Sequence, residues 1–172
     1  MDEDYIIDYL TGQKVPDVGA EANRQAVERH LVEEKGYDRQ EIHRNTPIHL
    51  DMGGQAYDSQ VDLTIKLDGR TLMVVKCAPG SLDSREREIV AAARLLEPRP
   101  VPLAVVSDGK TAILWDAVTG KEIGNGLDAI PGKADLVQRF KGVEFQPLDM
   151  QRLKREKLIF RSYDSMNVNV AG

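Results

Sequence analysis

The chain has 172 residues and a formal net charge of −5, with 41% apolar and 30% charged residues. This length suits one domain with a sizeable core, and this composition excludes an intrinsically disordered chain. The apolar runs are too short for a membrane-spanning helix, no secretory signal is expected in the acidic N-terminus, and the lone Cys77 excludes an internal disulfide. We therefore expect a cytoplasmic protein without membrane contact that does not coat nucleic acid along its whole surface.

The N-terminal part of the sequence predicts a short helical segment followed by a longer helix. Residues 4–10 are apolar and acidic, which favours one or two helical turns packed on the main body. Residues 20–35 are good helix formers, and Val27 and Leu31 lie one turn apart on one face. Gly36 stands where a glycine commonly ends a helix.

Three strands are predicted next. The first covers residues 46–50. The second covers residues 57–67, and apolar and polar side chains alternate over residues 61–67 as in a half-buried strand. An Asp68-Gly69 turn leads to a more buried strand over residues 71–77. The second and third strands therefore form a hairpin, and the first extends it to a meander if it pairs as well.

The rest of the chain adds a helix and two further strands. Apolar residues recur at helical spacing from Ile89 to Leu96, and residues 101–106 and 111–116 are apolar runs typical of strands covered on both faces. A meander joined through a helix to another strand gives a mixed sheet, so an α/β fold is predicted. We expect a single domain over residues 1–172, with its core near residues 19–116 and a peripheral C-terminal extension over about residues 117–172.

Asp62 and Lys76 stand out because they are charged positions in apolar strands. A lysine buried alone costs several kcal/mol, so it needs solvent or a carboxylate. A three-residue loop of Asp68, Gly69 and Arg70 would place Asp62 opposite Lys76 and collect the apolar side chains on one face. We therefore predict that Asp62 and Lys76 share one face of the hairpin.

The order of these pieces resembles the PD-(D/E)xK nuclease layout. In particular, the chain resembles the N-terminal domain of type I restriction enzyme R subunits, without a helicase motor after it. The resemblance implies a restriction-endonuclease-like mixed central sheet flanked by helices. It rests on the segments GAEANRQAVERHLVEEKGY, SQVDL, MVVKCAPG, REREIVAAARLLE and PLAVVSDGKTAILWD.

The resemblance also implies roles for individual residues. In that superfamily acidic groups hold Mg²⁺ beside the scissile phosphate and a lysine helps to activate the attacking water. Asp62 would be the primary metal ligand, Lys76 the motif lysine and Glu21 the acid from the first helix. The acid expected two residues before the lysine is Val74, which cannot bind a metal.

Two explanations for Val74 remain open. The missing acid could come from the next helix, with Glu88 as the first choice for a second metal ligand and Glu86 as the second. Alternatively, these glutamates only favour the helix dipole, and Asp62 with Lys76 forms a structural ion pair. The sequence thus predicts either a Mg²⁺-dependent nuclease-like domain that hydrolyses DNA, with weak or lost activity, or a non-catalytic nucleic-acid-binding or protein-interaction module that retains the fold.

A basic segment lies near the C-terminus, over residues 151–161. It carries five basic residues against Glu156 alone. A solvated helix face explains such a run, and so does a helix that contacts DNA phosphates or docks a protein partner. The candidate nucleic-acid-binding residues are Arg152, Lys154, Arg155 and Lys157.

Overall fold

The computed structural model describes the backbone of residues 4–171 and the side chains of residues 4–166. The helices of this part are α1 (Glu21–Glu33), α2 (Glu86–Leu95), α3 (Lys133–Phe140) and α4 (Met150–Ala171). The strands are β1 (Tyr5–Ile7), β2 (Lys14–Pro16), β3 (Ile42–Asp51), β4 (Ala56–Leu67), β5 (Arg70–Cys77), β6 (Leu103–Ser107), β7 (Ala112–Asp116) and β8 (Glu122–Asn125). No helix in residues 4–171 is long and apolar enough to cross a membrane.

The main sheet has six strands in the order β3-β4-β5-β6-β7-β8, which confirms the predicted α/β class with a mixed sheet. Strands β3, β4 and β5 form an antiparallel meander. Strand β6 pairs parallel to β5 after the chain crosses through α2, and β7 and β8 continue antiparallel. Strand β8, which lies in the predicted C-terminal extension, forms one edge of this sheet.

The helical prediction for residues 4–10 is wrong, because residues 5–7 of this segment form strand β1 and the rest is coil and turn. β1 pairs with β2 in a separate antiparallel hairpin, in which Ile6 lies opposite Val15. The segment is too short for a stable helix of its own, whereas pairing with β2 satisfies its backbone hydrogen bonds locally.

Helices cover both faces of the main sheet. The α1 side packs Val27 and Leu31 against Met73 and Val75 of β5, and the core on that side also includes Leu136 of α3. On the α2 side, the core includes Ile89 and Ala93 of α2, Val74 and Val106 of the sheet, and Phe160 of α4. From Met73 to Cys77, β5 therefore alternates regularly, with odd-numbered residues toward α1 and even-numbered residues toward α2.

The alternation in β3 and β4 changes phase in the middle of both strands. Leu63 belongs to the core on the α1 side, whereas Val61, two residues earlier, belongs to the core on the α2 side. In a regular strand these two residues would share a face. The opposing strand carries Asn45 at φ 52°, a left-handed conformation that interrupts regular pleating. This face switch surrounds Asp62 and determines where its side chain points.

The β4–β5 turn differs from the predicted three-residue loop. Leu67 pairs with Arg70 across a two-residue Asp68-Gly69 turn, and both turn residues have positive φ, as a tight hairpin turn requires. The register then shifts between Ile65 and Lys66, so that Leu63 lies opposite Val75. The predicted three-residue loop is therefore wrong. The register shift within the strands nevertheless restores, from Ile65 toward Leu63, the strand pairing that this loop would have given.

Candidate active site

Glu21 lies in the first turn of α1 and is buried, with 6% of its surface exposed. Its carboxylate forms an ion pair with Arg24 and accepts hydrogen bonds from Gln25 Nε2 at 2.7 Å and Arg44 Nη2 at 2.7 Å. Glu21, which the resemblance implied as the acid from the first helix, thus points into the molecule rather than to bulk solvent. Its acceptor oxygens, however, are already occupied by two guanidinium groups and an amide.

Asp62 shares a cavity of about 280 Å³ with Glu21 on the α1 side of the sheet. Asp62 is half-buried, and its Oδ2 accepts a hydrogen bond from the backbone N–H of Cys77 at 2.8 Å. Arg24 and Cys77 also line the cavity. The structure therefore brings Glu21 and Asp62 to one site, as the resemblance implied.

Lys76 does not join this site, and the prediction that Asp62 and Lys76 share a face is wrong. Continuing the register one residue beyond the observed Leu63–Val75 pair would place Asp62 opposite Lys76. The two side chains nevertheless point to different faces of the sheet. Asp62 lies at the face switch and lines the cavity on the α1 side, whereas Lys76 belongs to the regularly alternating residues 73–77 and points to the α2 side. Lys76 Nζ lies 3.1 Å from Glu88 Oε1 on the α2 side.

Glu88 and Glu86 also lie away from the Asp62 cavity. Glu88 is 3% exposed and pairs with Lys76; burial raises its pKa, while Lys76 opposes the shift. Glu86 is exposed at the start of α2. The structure thus pairs Glu88 with Lys76 and not with Asp62. Within the described part of the chain, no group of three or more acidic, histidine or cysteine side chains could hold a metal ion.

The side of β5 that faces the α1 core carries Val75 and Cys77, two residues apart. This is the spacing of the acid and lysine in the nuclease motif, displaced by one residue from Val74 and Lys76. Burial raises the pKa of the Cys77 thiol well above its usual value, so it stays neutral. The cavity therefore contains neither the second acid nor the lysine of the motif from β5.

A second buried charge cluster beside this cavity was not found from the sequence. Arg44 of β3 contacts three carboxyl groups, those of Asp8, Glu21 and Glu28. Asp8 and Glu28 are both 0% exposed. The sequence carries only a weak indication of this cluster, because Arg44 lies two residues after the buried Ile42 and so shares its inward face.

The basic segment lies on α4 at the opposite side of the molecule from α1. Arg152, Lys154 and Arg155 are exposed, and Lys157 is half-buried with its Nζ donating to the Asp51 carbonyl oxygen at 3.0 Å. The acids of this helix point inward instead. Glu156 is 5% exposed and pairs with Arg94 of α2 at 2.5 Å.

Comparison with known proteins identifies the family. The family model described as Type I restriction enzyme R protein N terminus (HSDR_N) matches residues 19–131, about two thirds of the chain. This match spans α1, the main sheet and the Glu21–Asp62 cavity. No curated protein and no solved structure matches the chain. The chain belongs to the family of type I restriction enzyme R protein N-terminal domains.

Proposed function

We propose that this chain is a DNA-binding domain that retains a nuclease-like fold without hydrolysing phosphodiester bonds. The proposal rests mainly on what β5 presents beside Asp62: Cys77 lines the cavity, and Val75, two residues earlier on the same face, is buried in the α1-side core. The family relationship makes DNA the natural polymer to test.

The cavity is poorly suited to Mg²⁺ for a simple reason. Mg²⁺ requires oxygen ligands in near-octahedral geometry. Glu21 is committed to Arg24, Arg44 and Gln25, and one Asp62 oxygen accepts the Cys77 N–H. Two guanidinium groups near the cavity also repel a cation. The Mg²⁺ site that the resemblance implied therefore lacks the carboxylates needed to hold the ion, and the catalytic roles of Lys76 and Glu88 have no support from the geometry.

The surface of α4 supports contact with the DNA backbone. Its exposed side carries the cations Arg152, Lys154 and Arg155, and Arg161 is exposed as well, while both Glu156 and Asp164 are buried. Within the described side chains, none of these cations forms an ion pair with a carboxylate. Cations that are not neutralised by the protein are available to displace counterions from DNA phosphates.

Internal contacts hold α4 in place beneath this surface. Phe160 is 2% exposed in the α2-side core, and Tyr57 donates a hydrogen bond to Asp164 Oδ2 at 2.5 Å. The Arg94–Glu156 ion pair joins α4 to α2. The basic side chains therefore project from a fixed helix, and binding to a phosphate backbone requires little additional ordering of the helix.

The first prediction is that the protein binds DNA and does not cleave it. We expect no nicking or cleavage of supercoiled or linear DNA with 10-fold excess protein at about 10 mM Mg²⁺ or Mn²⁺, an ion concentration that would fill even a weak carboxylate site. Metal-dependent cleavage that disappears in Asp62→Ala would contradict the proposal and support the alternative, a Mg²⁺-dependent nuclease.

The DNA-binding part is tested separately with charge reversals. Arg152→Glu/Arg155→Glu should weaken binding of a short duplex by at least about tenfold near 100 mM salt, because each lost phosphate contact reduces the counterion release that drives binding. Lys66→Glu/Lys141→Glu changes the net charge equally at exposed positions outside α4 and should leave affinity within about twofold. Equal losses in both variants would show a general charge effect rather than an α4 surface.

A further inference from the structure

The N-terminal arm, defined here as residues 4–17, is fastened to the body of the molecule through a buried aspartate. Asp8 is 0% exposed, and its Oδ1 receives Arg44 Nη1 at 2.9 Å and Gln25 Nε2 at 3.1 Å. Its Oδ2 receives the Thr11 N–H at 3.0 Å and so also shapes the arm itself. Tyr9 adds a contact at the surface, where its O–H donates to Glu33 Oε1 at 3.1 Å. Asp8 is thus the inner anchor of the arm.

Glu28 of α1 lies beside this anchor in an unusual state for a carboxyl group. It is 0% exposed, and neither of its oxygens receives a hydrogen bond. Arg44 Nε is 3.3 Å from Oε1, too poorly aligned to count as a donor. An ionised carboxylate without a hydrogen-bond donor in the protein interior costs several kcal/mol.

The charges around Glu28 explain how this cost is avoided. Asp8 faces it from the arm, Glu21 and Arg24 belong to the same helix, and Arg44 reaches in from β3. If all the acids were ionised, three carboxylates would face two guanidiniums. One retained proton balances the cluster, and a protonated carboxyl becomes a donor.

The positions of the two acids indicate where the proton resides. Burial, reinforced by the neighbouring Asp8, raises the pKa of Glu28 to about 8. Burial alone would also raise the pKa of Asp8, but hydrogen bonds from Thr11 and Gln25, together with Arg44, hold it well below its usual range. Glu28 is therefore the neutral partner and Asp8 the ionised one.

We propose that the proton on Glu28 acts as a pH-sensitive clasp that keeps the N-terminal arm docked on α1. The neutral Glu28 carboxyl donates to Asp8, and loss of the proton places two like charges side by side in a site closed to water. Release of the arm restores solvent to both. The clasp is independent of the proposed DNA binding, because its residues lie on the α1 side and the basic surface lies on α4.

The direction of the pH effect follows from linkage. With the arm released, Glu28 is solvated and titrates near its ordinary pKa of 4.5, whereas with the arm docked it titrates near 8. Between these values only the docked state binds the proton, so the docking equilibrium weakens by about tenfold for each pH unit. Below pH 4.5 the contribution is fully present, and above pH 8 the loss is complete and the equilibrium becomes constant.

Hydrogen exchange of the full chain tests the clasp. Protection factors of the β1 and β2 amides, corrected for the intrinsic pH dependence of exchange, should fall about tenfold per unit from pH 5.5 to 8 and then level off. Glu28→Gln keeps a neutral donor at every pH, so its protection should not change with pH. Glu34→Gln, an exposed glutamate just after α1, should behave as the wild type. A wild type without pH dependence, or a Glu28→Gln variant with the wild-type slope, overturns the proposal.

A second measurement keeps the test decisive if Glu28→Gln does not fold. Carboxyl ¹³C resonances of the glutamates in the wild-type protein should include one that titrates near pH 8, together with the loss of β1 and β2 protection. A titration of every glutamate below pH 6 refutes the clasp, and so does a titration near pH 8 that leaves the arm fully protected.

Discussion

At the scale of single residues, the site depends on which side of β5 a residue occupies. Val74 and Lys76 face α2, whereas Val75 and Cys77 face the α1 side with Asp62. If the motif is located by its lysine, it selects Val74 and Lys76, which lie on the face of the sheet opposite to the Asp62 cavity. The sequence supplies a lysine near the right place, but the structure directs it to Glu88, 3.1 Å away.

This distinction can be tested by restoring the motif on each face. Val75→Glu/Cys77→Lys should create a binding site for Mn²⁺ with Asp62, because it adds a carboxylate on the face of β5 that lies toward Asp62 and that is not already bound to Arg24 and Arg44, as Glu21 is. Val74→Glu recreates the acid-x-lysine sequence with the native Lys76, but on the α2 side, and should not bind the ion. Titration calorimetry measures both, with circular dichroism to confirm folding. Mn²⁺ binding by Val74→Glu alone would contradict the assignment of faces.

At the scale of elements, the sequence predicted the main helices and strands but not their irregularities. Alternation in residues 61–67 and the apolar run of 71–77 arise from burial of one face or both, so local pattern is informative there. The face switch at Asn45 and Asp62 has no such pattern, because it depends on Arg24 of α1, whose Nη1 donates to Asn45 Oδ1 at 2.7 Å. The register shift that follows the Asp68-Gly69 turn is equally a matter of tertiary packing.

Asn45 is expected to be the residue that makes the face switch possible. Asn45→Val should lower the free energy of unfolding by about 1–3 kcal/mol, since a β-branched residue resists positive φ and cannot accept the Arg24 hydrogen bond. Asn45→Gly keeps the backbone conformation and should cost less than half as much. Urea unfolding compares the two. Equal losses would show that the hydrogen bond, and not the backbone conformation, accounts for the effect.

At the scale of the whole molecule, basic charge is concentrated on one side. The chain is acidic overall, with a net charge of −5, yet the outer surface of α4 is basic because its acids are buried. The acid cluster of Asp8, Glu21 and Glu28 is buried and paired with Arg24 and Arg44, so it does not form an acidic surface. The polarity of the surface favours one orientation on DNA, with α4 toward the phosphates, because the rest of the chain carries the acidic excess and is repelled.

The same polarity predicts how binding responds to salt. If the four exposed cations of α4 (Arg152, Lys154, Arg155 and Arg161) each contact a phosphate, the logarithm of the association constant should fall with the logarithm of salt concentration with a slope of about −3 to −4. Arg155→Gln removes one contact and should reduce the magnitude of that slope by about 0.9, whereas Lys66→Gln, on β4, should leave it unchanged. Fluorescence anisotropy with a labelled duplex between 50 and 300 mM salt measures each slope. A slope that is the same for Arg155→Gln as for the wild type would place the phosphate contacts elsewhere on the molecule, even if the protein binds DNA.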